Sequence, residues 1–338
     1  MQKRLFFILI PILLLSVSKV SAQDPHFAQF YSNPIYLNPA FAGANICPRI
    51  ALNFRDQWPS IQNTFITYSA SYDQHFDKIA GGIGVLAFGD RQGDGGMINV
   101  YSAHVMYSFR AKISKQFQMR FALQAGYQQK GLNWDKLIFG DMIDPRYGFV
   151  LQPNNETMPL KTTTHIFDMA AGFIGYTEYL YFGMAAHHFT RPHEGFAFVK
   201  DEEASQLPVR WTGHIGAYID IKRKSKMERS FGDISISPNI IYQQQMTFHY
   251  LNTGMYLNFY PFTVGLWLRN SFVKNDPIDA LVFLVGVQYD MLKIGYSYDI
   301  SLGKKSDLTG GAHEVSVQFM LNCPEKVKKI KDLNCPSF

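Results

Sequence analysis

Apolar and polar residues alternate with a period of two in several segments of the chain. From Phe117 to Tyr127 every second residue is apolar, and glutamine or arginine fills positions 118, 120 and 124 between them. The same alternation recurs around 97–109, 209–220 and 314–321. A period of two places successive side chains on opposite faces of a β-strand. The chain is therefore predicted to be all-β, with strands that separate two different environments.

The connections between these segments fall into two classes of length. The predicted strands are 49–58, 64–73, 80–89, 97–110, 116–132, 163–176, 178–190, 208–221, 231–243, 250–260, 263–273, 278–289, 291–302 and 312–321. Odd-numbered connections include the two longest, 133–162 and 191–207, whereas even-numbered connections are mostly tight. Long loops at one end and short turns at the other are typical of an outer-membrane β-barrel. We predict a transmembrane antiparallel β-barrel of about 14 strands, with 12–16 as the range.

Composition also fits this barrel, whereas a secreted soluble sandwich or propeller, which would show the same alternation, is the alternative that the loop lengths argue against. Charged residues make up 17% of the chain and aromatic residues 15%, including 19 Tyr and 28 Phe. Soluble domains usually carry about 25% charged residues. Low charge and abundant aromatic residues favour strands that face lipid and rims that carry aromatic girdles.

The first 22 residues have the features of a secretory signal peptide. Lys3 and Arg4 precede an apolar run at 5–15, and Val20-Ser21-Ala22 offers a cleavage site ahead of Gln23. An uncleaved anchor helix is the alternative, although the apolar run is short for a membrane span. The predicted organisation is a signal peptide (1–22), a periplasmic N-terminal segment (23–48), the barrel (49–321) and a periplasmic basic tail that contains cysteine (322–338).

The stretch that follows the signal peptide is rich in turn-forming residues. Pro34 and Pro39 each follow an asparagine, and small residues from Ala40 to Gly43 allow close backbone contacts. Because fourteen strands enclose more space than inward-facing side chains fill, the lumen needs a plug, a ligand or a narrow pore. Residues 24–44 are predicted to be that plug, or a lid beneath the barrel mouth.

Four motifs in the chain resemble the PorP/SprF family of outer-membrane proteins. They are NPIYLNPAFAG (33–43), NFRDQWP (53–59), TYSASYDQ (67–74) and AHHFTRP (186–192), within a resemblance that spans about 23–321. It implies a noncatalytic outer-membrane component of the type IX secretion system of the Bacteroidetes, involved in protein secretion and, in gliding species, gliding motility. The chain departs from the family pattern after Asn322, where a Cys- and Lys-rich tail follows the last strand.

The resemblance also implies partners for the chain. Members of the PorP/SprF family look like partners for the export or surface anchoring of large cell-surface proteins. They would act through the type IX C-terminal domain of the cargo. Periplasmic and outer-membrane secretion components and outer-membrane lipid are further expected partners. The candidate partner-binding residues lie in the two N-terminal motifs: Asn33, Pro34, Asn38, Pro39, Gly43, Arg55, Gln57 and Trp58.

The three cysteines allow two pairings that involve Cys323. Cys47 precedes the first strand and Cys323 follows the last, so closure of the barrel would bring both to one end of the same seam. A Cys47–Cys323 disulfide suits an oxidising compartment. A Cys323–Cys335 bridge within the tail is the alternative.

One long even-numbered connection carries a basic cluster, predicted to dock electrostatically onto an acidic periplasmic partner. It consists of Lys222, Arg223, Lys224, Lys226 and Arg229. A solvated turn is the alternative reading. Nucleic acid is not an expected partner in that compartment.

Enzymatic motifs are missing from the sequence. His187, His188, His193 and Glu194 cluster near a long loop, but adjacent strand residues point to opposite faces and do not chelate one metal without a bulge. No HExxH, CxxC or GxSxG spacing occurs. We predict no catalytic residues, no metal site and no cofactor. A passive porin or hydrophobic-solute channel is the main functional alternative, followed by an outer-membrane hydrolase.

Overall fold

The structure is a computed structural model. It describes residues 24–45, 47–61, 64–93, 95–144, 146, 148–149, 156, 158, 161–196, 205–222, 231–272, 278–302 and 310–321. Within these ranges, no helix has both the length and the hydropathy needed to cross a membrane.

Seventeen strands and a few short helical turns make up the described secondary structure. The helix α1 is Pro34–Leu37, and a 3-10 turn follows at Pro39–Phe41. The strands are β1 (Arg49–Gln57), β2 (Phe65–Phe76), β3 (Gly81–Gln92), β4 (Ile98–Lys112), β5 (Gln118–Leu132), β6 (Ile143–Asp144), β7 (Gly148–Phe149), β8 (Thr163–Tyr176), β9 (Leu180–His187), β10 (Arg210–Ala217), β11 (Ile219–Lys222), β12 (Ile234–Gln245), β13 (Phe248–Phe259), β14 (Phe262–Ser271), β15 (Ile278–Tyr289), β16 (Leu292–Ser301) and β17 (Ala312–Met320).

These strands form a closed antiparallel barrel with fourteen strands in its wall. Strands β10 and β11 both pair with β12 and form one wall strand that is interrupted at Tyr218. The first and last strands pair along their whole length, from Arg49 opposite Met320 to Gln57 opposite Ala312. Closure leaves no unpaired strand edge to face lipid. The predicted fold class and strand number are confirmed.

The two ends of the barrel differ in their connections. β1 finishes at one end of the barrel, which we call the loop end because the connections 133–162 and 188–209 lie there. The end where β1 begins is the turn end, where β13–β14 and β15–β16 are joined by two residues each. At the loop end, β6 and β7 form a small ribbon inside the first long loop. The sequence did not predict this ribbon, since two-residue strands show no periodicity.

Side chains alternate between an apolar outer face and a polar lumen. On β1, Leu52 and Phe54 are exposed on the outer face, whereas Asn53 and Arg55 are buried inside. On β5, Phe121 and Leu123 point outward, whereas Arg120 and Gln124 point into the lumen. An apolar outer face and a polar interior are what a barrel in a bilayer requires.

A hydrophobic core lies inside the lumen and is built largely by residues 24–44, which we call the plug. Ile35, Ala40 and Phe41 of the plug are almost completely buried. Phe30 packs against Trp267 of β14 with ring centroids 5.1 Å apart. Phe41 stacks on His214 of β10 at 5.2 Å. The plug therefore supplies the apolar volume that the wall alone does not provide.

Candidate functional site: the plug and the cup above it

The plug runs through the lumen from the loop end to the turn end. Asp24 contacts His188 and Arg210, which lie where β9 finishes and β10 begins at the loop end. Gly43 contacts Asp73, near the turn end of β2. We predicted that 23–48 lies on the same side as the C-terminal tail. Asp24 lies instead at the opposite end of the barrel from Met320, because its ionic partners are at the loop end.

An ionic cluster holds the loop-end tip of the plug. His188 contacts the Asp24 carboxylate through Nε2 at 2.7 Å and the Asp168 carboxylate through Nδ1 at 2.8 Å. Because both partners are carboxylates, both ring nitrogens donate, and the imidazole is positively charged. Arg210 lies 3.3 Å from Asp24 and also donates to the hydroxyl of Tyr36 at 3.1 Å. We call Asp24, Asp168, His188 and Arg210 the latch.

The pKa values of the plug tip follow from these contacts. Burial lowers the pKa of His188, but the carboxylates of Asp24 and Asp168 outweigh it and raise this pKa to about 9. Burial raises the pKa of Asp24, but His188 and Arg210 outweigh it and hold this pKa well below its usual range. Asp24 and His188 are therefore both ionised near neutral pH.

A second ionic network holds the middle of the plug. The carboxylate of Glu314 on β17 accepts hydrogen bonds from the backbone N–H groups of Ala28 and Gln29, at 2.7 and 3.0 Å. Arg55 of β1 lies between this carboxylate and that of Asp299, at 3.2 and 2.8 Å. Burying these charges is costly unless each is paired and hydrogen-bonded. The plug backbone completes the pairing of Glu314.

At the turn end, the plug is held by backbone contacts and close packing. Arg120 of β5 donates to the carbonyl oxygens of Ala42 and Gly43 at 3.0 and 2.6 Å. The N–H of Gly43 donates to the carboxylate of Asp73 at 2.9 Å. Gly43 has a φ of +60°, and a Cβ there would lie 2.6 Å from the Cα of Gly82. Only glycine accommodates both this conformation and this close approach.

Above the plug, a cavity of about 490 Å³ opens toward the loop end. We call it the cup. The plug supplies part of its floor through Asp24, His26 and Tyr36. Tyr36 stacks on Phe88 of β3 with centroids 5.3 Å apart. Apolar and charged side chains both line the wall, among them Trp58, Phe65, Phe88, Lys130, Arg269 and Asp279. Burial, together with nearby Arg269, Arg55 and Arg210, holds the pKa of His26 well below its usual range.

The predicted partner-binding residues fall into two groups. Those of the first motif, Asn33, Pro34, Asn38, Pro39 and Gly43, belong to the plug and contact the barrel wall. For example, Asn33 donates to Ser69 at 2.8 Å and Asn38 donates to the carbonyl oxygen of Phe173 at 3.1 Å.

The second group lies on β1 and just beyond it. Arg55, Gln57 and Trp58 line the cup, and Trp58 packs edge-on against Phe65 at 5.4 Å. A role of either group in binding a partner stays a prediction. Asp168, Arg210 and Glu314 were not among the sequence candidates, and their only sequence signal is a charge at a lumen-facing position of an alternating strand. His188 was considered only as a member of the histidine cluster, and Asp24 only as the first residue of the predicted plug.

The other predicted sites lie mostly outside the described residues. Lys222 is exposed at the turn end, at the last position of β11, whereas Arg223, Lys224, Lys226 and Arg229 lie outside the described ranges. Cys47 is disulfide-bonded. Cys323 and Cys335 are outside the described ranges, so the predicted pairing stays a prediction. Among described residues, no group of three or more His, Cys, Asp or Glu side chains is placed to hold a metal ion.

Together, the closed wall and the filled lumen define an outer-membrane-type β-barrel that is plugged by its own N-terminal segment. The chain belongs to the PorP/SprF family of type IX secretion system membrane proteins, whose family model matches residues 19–319. The predicted family is confirmed.

Several solved structures are similar to the chain at low sequence identity. The toluene transporter TbuX from Ralstonia pickettii has 11% sequence identity and a TM-score of 0.46, over 85% of this chain and 93% of that one. The monoaromatic hydrocarbon channel CymD has 8% identity and a TM-score of 0.47, over 86% and 93%. A Pseudomonas aeruginosa FadL homologue has 10% identity and a TM-score of 0.41, over 84% and 92%. No curated protein sequence matches the chain significantly.

Proposed function

We propose that this protein is a plugged docking barrel of the type IX secretion system. It holds a large cell-surface protein at the outer membrane through the C-terminal domain of that cargo, for export or for surface anchoring. In gliding species the same role would serve gliding motility. Family membership supports the secretion role. The cargo, its point of contact and the orientation below are parts of the proposal.

The observation that carries the proposal is the filled lumen. The plug is hydrogen-bonded to wall strands on several sides of the barrel, including β2, β5, β8 and β17. Its central residues, such as Ile35 and Phe41, are almost completely buried. A barrel that is closed in this way is not an open diffusion pore. It still offers the cavity above the plug as a surface for binding at the loop end.

The cup and the long loops form the proposed cargo-binding surface. The loop that follows β9 is tied to the wall, because Glu194 forms a 3.0 Å ion pair with Lys130 of β5. Leu207, at the other end of that loop, is buried and lines the cup. A preordered rim reduces the entropy lost when a partner binds. Because outer-membrane barrels carry their long loops outside the cell, we assign the loop end to the cell surface.

The turn end would then face the periplasmic secretion machinery. Lys222 is exposed there and begins the basic connection that runs to Arg229. Positive charge at this end would favour an acidic periplasmic partner.

Affinity purification from mildly solubilised outer membranes tests the proposal. The tagged wild type is expected to recover a large surface protein through its C-terminal domain. Replacing Gln57 and Ser301 in the cup wall with tryptophan should reduce that recovery about tenfold, the effect of losing about 1.4 kcal/mol of binding energy. The control replaces Ala70 and Ala103, on the lipid face, with tryptophan. Equal recovery by both variants would refute the cup as the binding surface.

Passive transport of an apolar solute is the second candidate function. The apolar part of the cup wall, with Phe65, Phe88 and Val100, favours it. This function would require the plug to move, and it would need no protein partner. If the purified barrel carries no partner and conducts in a planar bilayer, the transporter is favoured over the docking barrel.

A further inference from the structure

Three tyrosine–histidine pairs recur on the outer face of the barrel near its loop end. The tyrosine hydroxyl lies within hydrogen-bonding distance of the histidine Nδ1 in each, at 2.5, 2.8 and 2.8 Å. The rings in each pair are also close, with centroids 5.9, 6.3 and 6.2 Å apart. The pairs are Tyr127–His165, Tyr242–His249 and Tyr296–His313.

All three pairs occupy the same position in the strand ladder. In each pair, the histidine lies directly opposite a residue on the strand that carries the tyrosine. This opposite residue is two positions closer to the loop end than the tyrosine. These opposite residues are Gln129, Gln244 and Tyr298. Each histidine lies within the first three residues of a strand that descends from the loop end. Three strand pairs that are separate in the sequence thus present one diagonal arrangement at one end of the barrel.

The pairing leaves a hydrogen-bond donor on each histidine. When the tyrosine hydroxyl donates to Nδ1, the neutral imidazole carries its hydrogen on Nε2. In the protonated imidazole, both nitrogens carry hydrogen. The tyrosine therefore favours a tautomer that offers Nε2–H at the barrel surface.

The surroundings of the pairs indicate what lies next to that donor. The outward residues two positions deeper on the same strands are Phe167, Leu251 and Val315, all apolar. Apolar residues continue toward the turn end, with Met169, Met255 and Phe319 exposed on the same faces. An apolar band on a membrane barrel faces acyl chains, and the polar residues above it face headgroups. The histidines are thus at the level of headgroup oxygens.

We propose that the three tyrosine–histidine pairs bind phosphate groups of membrane-lipid headgroups. Phosphate oxygens are strong acceptors, and a hydrogen bond to a charged group is stronger than one between neutral groups. The tyrosine orients the imidazole and Nε2–H donates to the phosphate. This binding site does not depend on the cargo role, since it faces lipid rather than the cup.

Native mass spectrometry of the full-length protein tests this site with two lipids that have the same acyl chains. Dioleoyl phosphatidic acid carries a phosphate and dioleoylglycerol lacks it. The wild type is expected to retain phosphatidic acid in preference to dioleoylglycerol. A variant with His165→Phe, His249→Phe and His313→Phe should bind phosphatidic acid about tenfold more weakly, because it loses the donors and retains the aromatic rings.

Two further variants separate the effect of the Nε2–H donors from the effect of aromatic side chains on the outer face. Replacing the same histidines with glutamine keeps an N–H donor near the Nε2 position and should restore part of the binding. Replacing Tyr72, Tyr107 and Tyr289 with phenylalanine, on the outer face near the turn end, should leave it unchanged. The strand content of every variant is checked by circular dichroism. The proposal fails if the phenylalanine triple variant binds phosphatidic acid like the wild type, or if dioleoylglycerol binds equally well.

Discussion

The two ends of the plug are held by different forces. At the turn end, Gly43 meets Gly82 backbone to backbone, and Arg120 binds two adjacent carbonyl groups. At the loop end, Asp24 is held by charged side chains and lies beside the open cup. At the turn end the charged side chains of Arg120 and Asp73 contact uncharged backbone groups, whereas the loop-end contacts include His188, whose protonation changes closer to neutral pH. The turn end is thus the fixed part of the closure, and the loop end is the part that solution conditions or a ligand could change.

Removing the plug should change the properties of the barrel more than any other variant proposed below. Deleting Asn33–Gly43 removes the turn-end contacts and the part of the buried apolar core that includes Ile35 and Phe41. The barrel wall should persist, because its closure depends on strand pairing. We expect ion conductance in planar bilayers to appear where the wild type shows none, and cargo recovery to be lost. A deletion variant that neither conducts nor loses cargo would contradict both the closure and its role.

A single substitution at the turn end should have the next largest effect, on the stability of the plug. In Gly43→Val, the new Cβ would clash with Gly82 and with the carbonyl oxygen of Gln74 at 2.7 Å, in a backbone conformation with positive φ. We expect the plug to lose about 3 kcal/mol of stability. Faster hydrogen exchange of the amides of residues 24–44 would report this loss. Gly140→Val is the control, since no atom lies within 4 Å of a Cβ at Gly140. Unchanged exchange in Gly43→Val would mean that the turn end is not tightly packed.

The barrel wall could be predicted from the sequence because its signals are local. Alternation within β5 identifies a two-faced strand, and loop lengths separate the two ends. The interruption at Tyr218 has no local signal, since Ala217 and Ile219 continue an apolar stretch. Only the pairing of β10 and β11 with the same strand, β12, shows that the two pieces form one wall strand.

The path of the plug could not be predicted because long-range contacts determine it. Asp24 and His188 are 164 positions apart, and Ala28 and Glu314 are 286 apart. The AHHFTRP motif marked His188 as a residue of interest, but alternation places it only at a rim. Its role as the partner of Asp24 depends on closure of the barrel, which brings β8, β9 and β10 around the tip of the plug.

The smallest predicted effect is a pH dependence confined to the loop end of the plug. The pKa of His188 is raised from 6.5 to about 9, so its contribution is fully present below pH 6.5 and is lost as the pH rises through 9. The pKa of Asp24 is lowered, so its contribution is present above its ordinary value of 3.8 and is lost only as the pH falls below it. The groups that face His188 are Asp24 on the plug, Asp168 on β8, Arg210 on β10 and, at longer range, His104 on β4.

Raising the pH from 7 to 8 should therefore weaken the latch by about 1 kcal/mol, if His188 has an ordinary pKa once the plug tip is released. The measurement is hydrogen exchange of amides near Asp24 relative to amides near Gly43, with exchange rates corrected for the intrinsic effect of pH. The ratio should rise with pH in the wild type and stay constant in His188→Gln. His193→Gln, which changes an exposed loop histidine, should behave like the wild type. A ratio that does not change with pH in the wild type would show that packing, rather than charge, holds both ends of the plug.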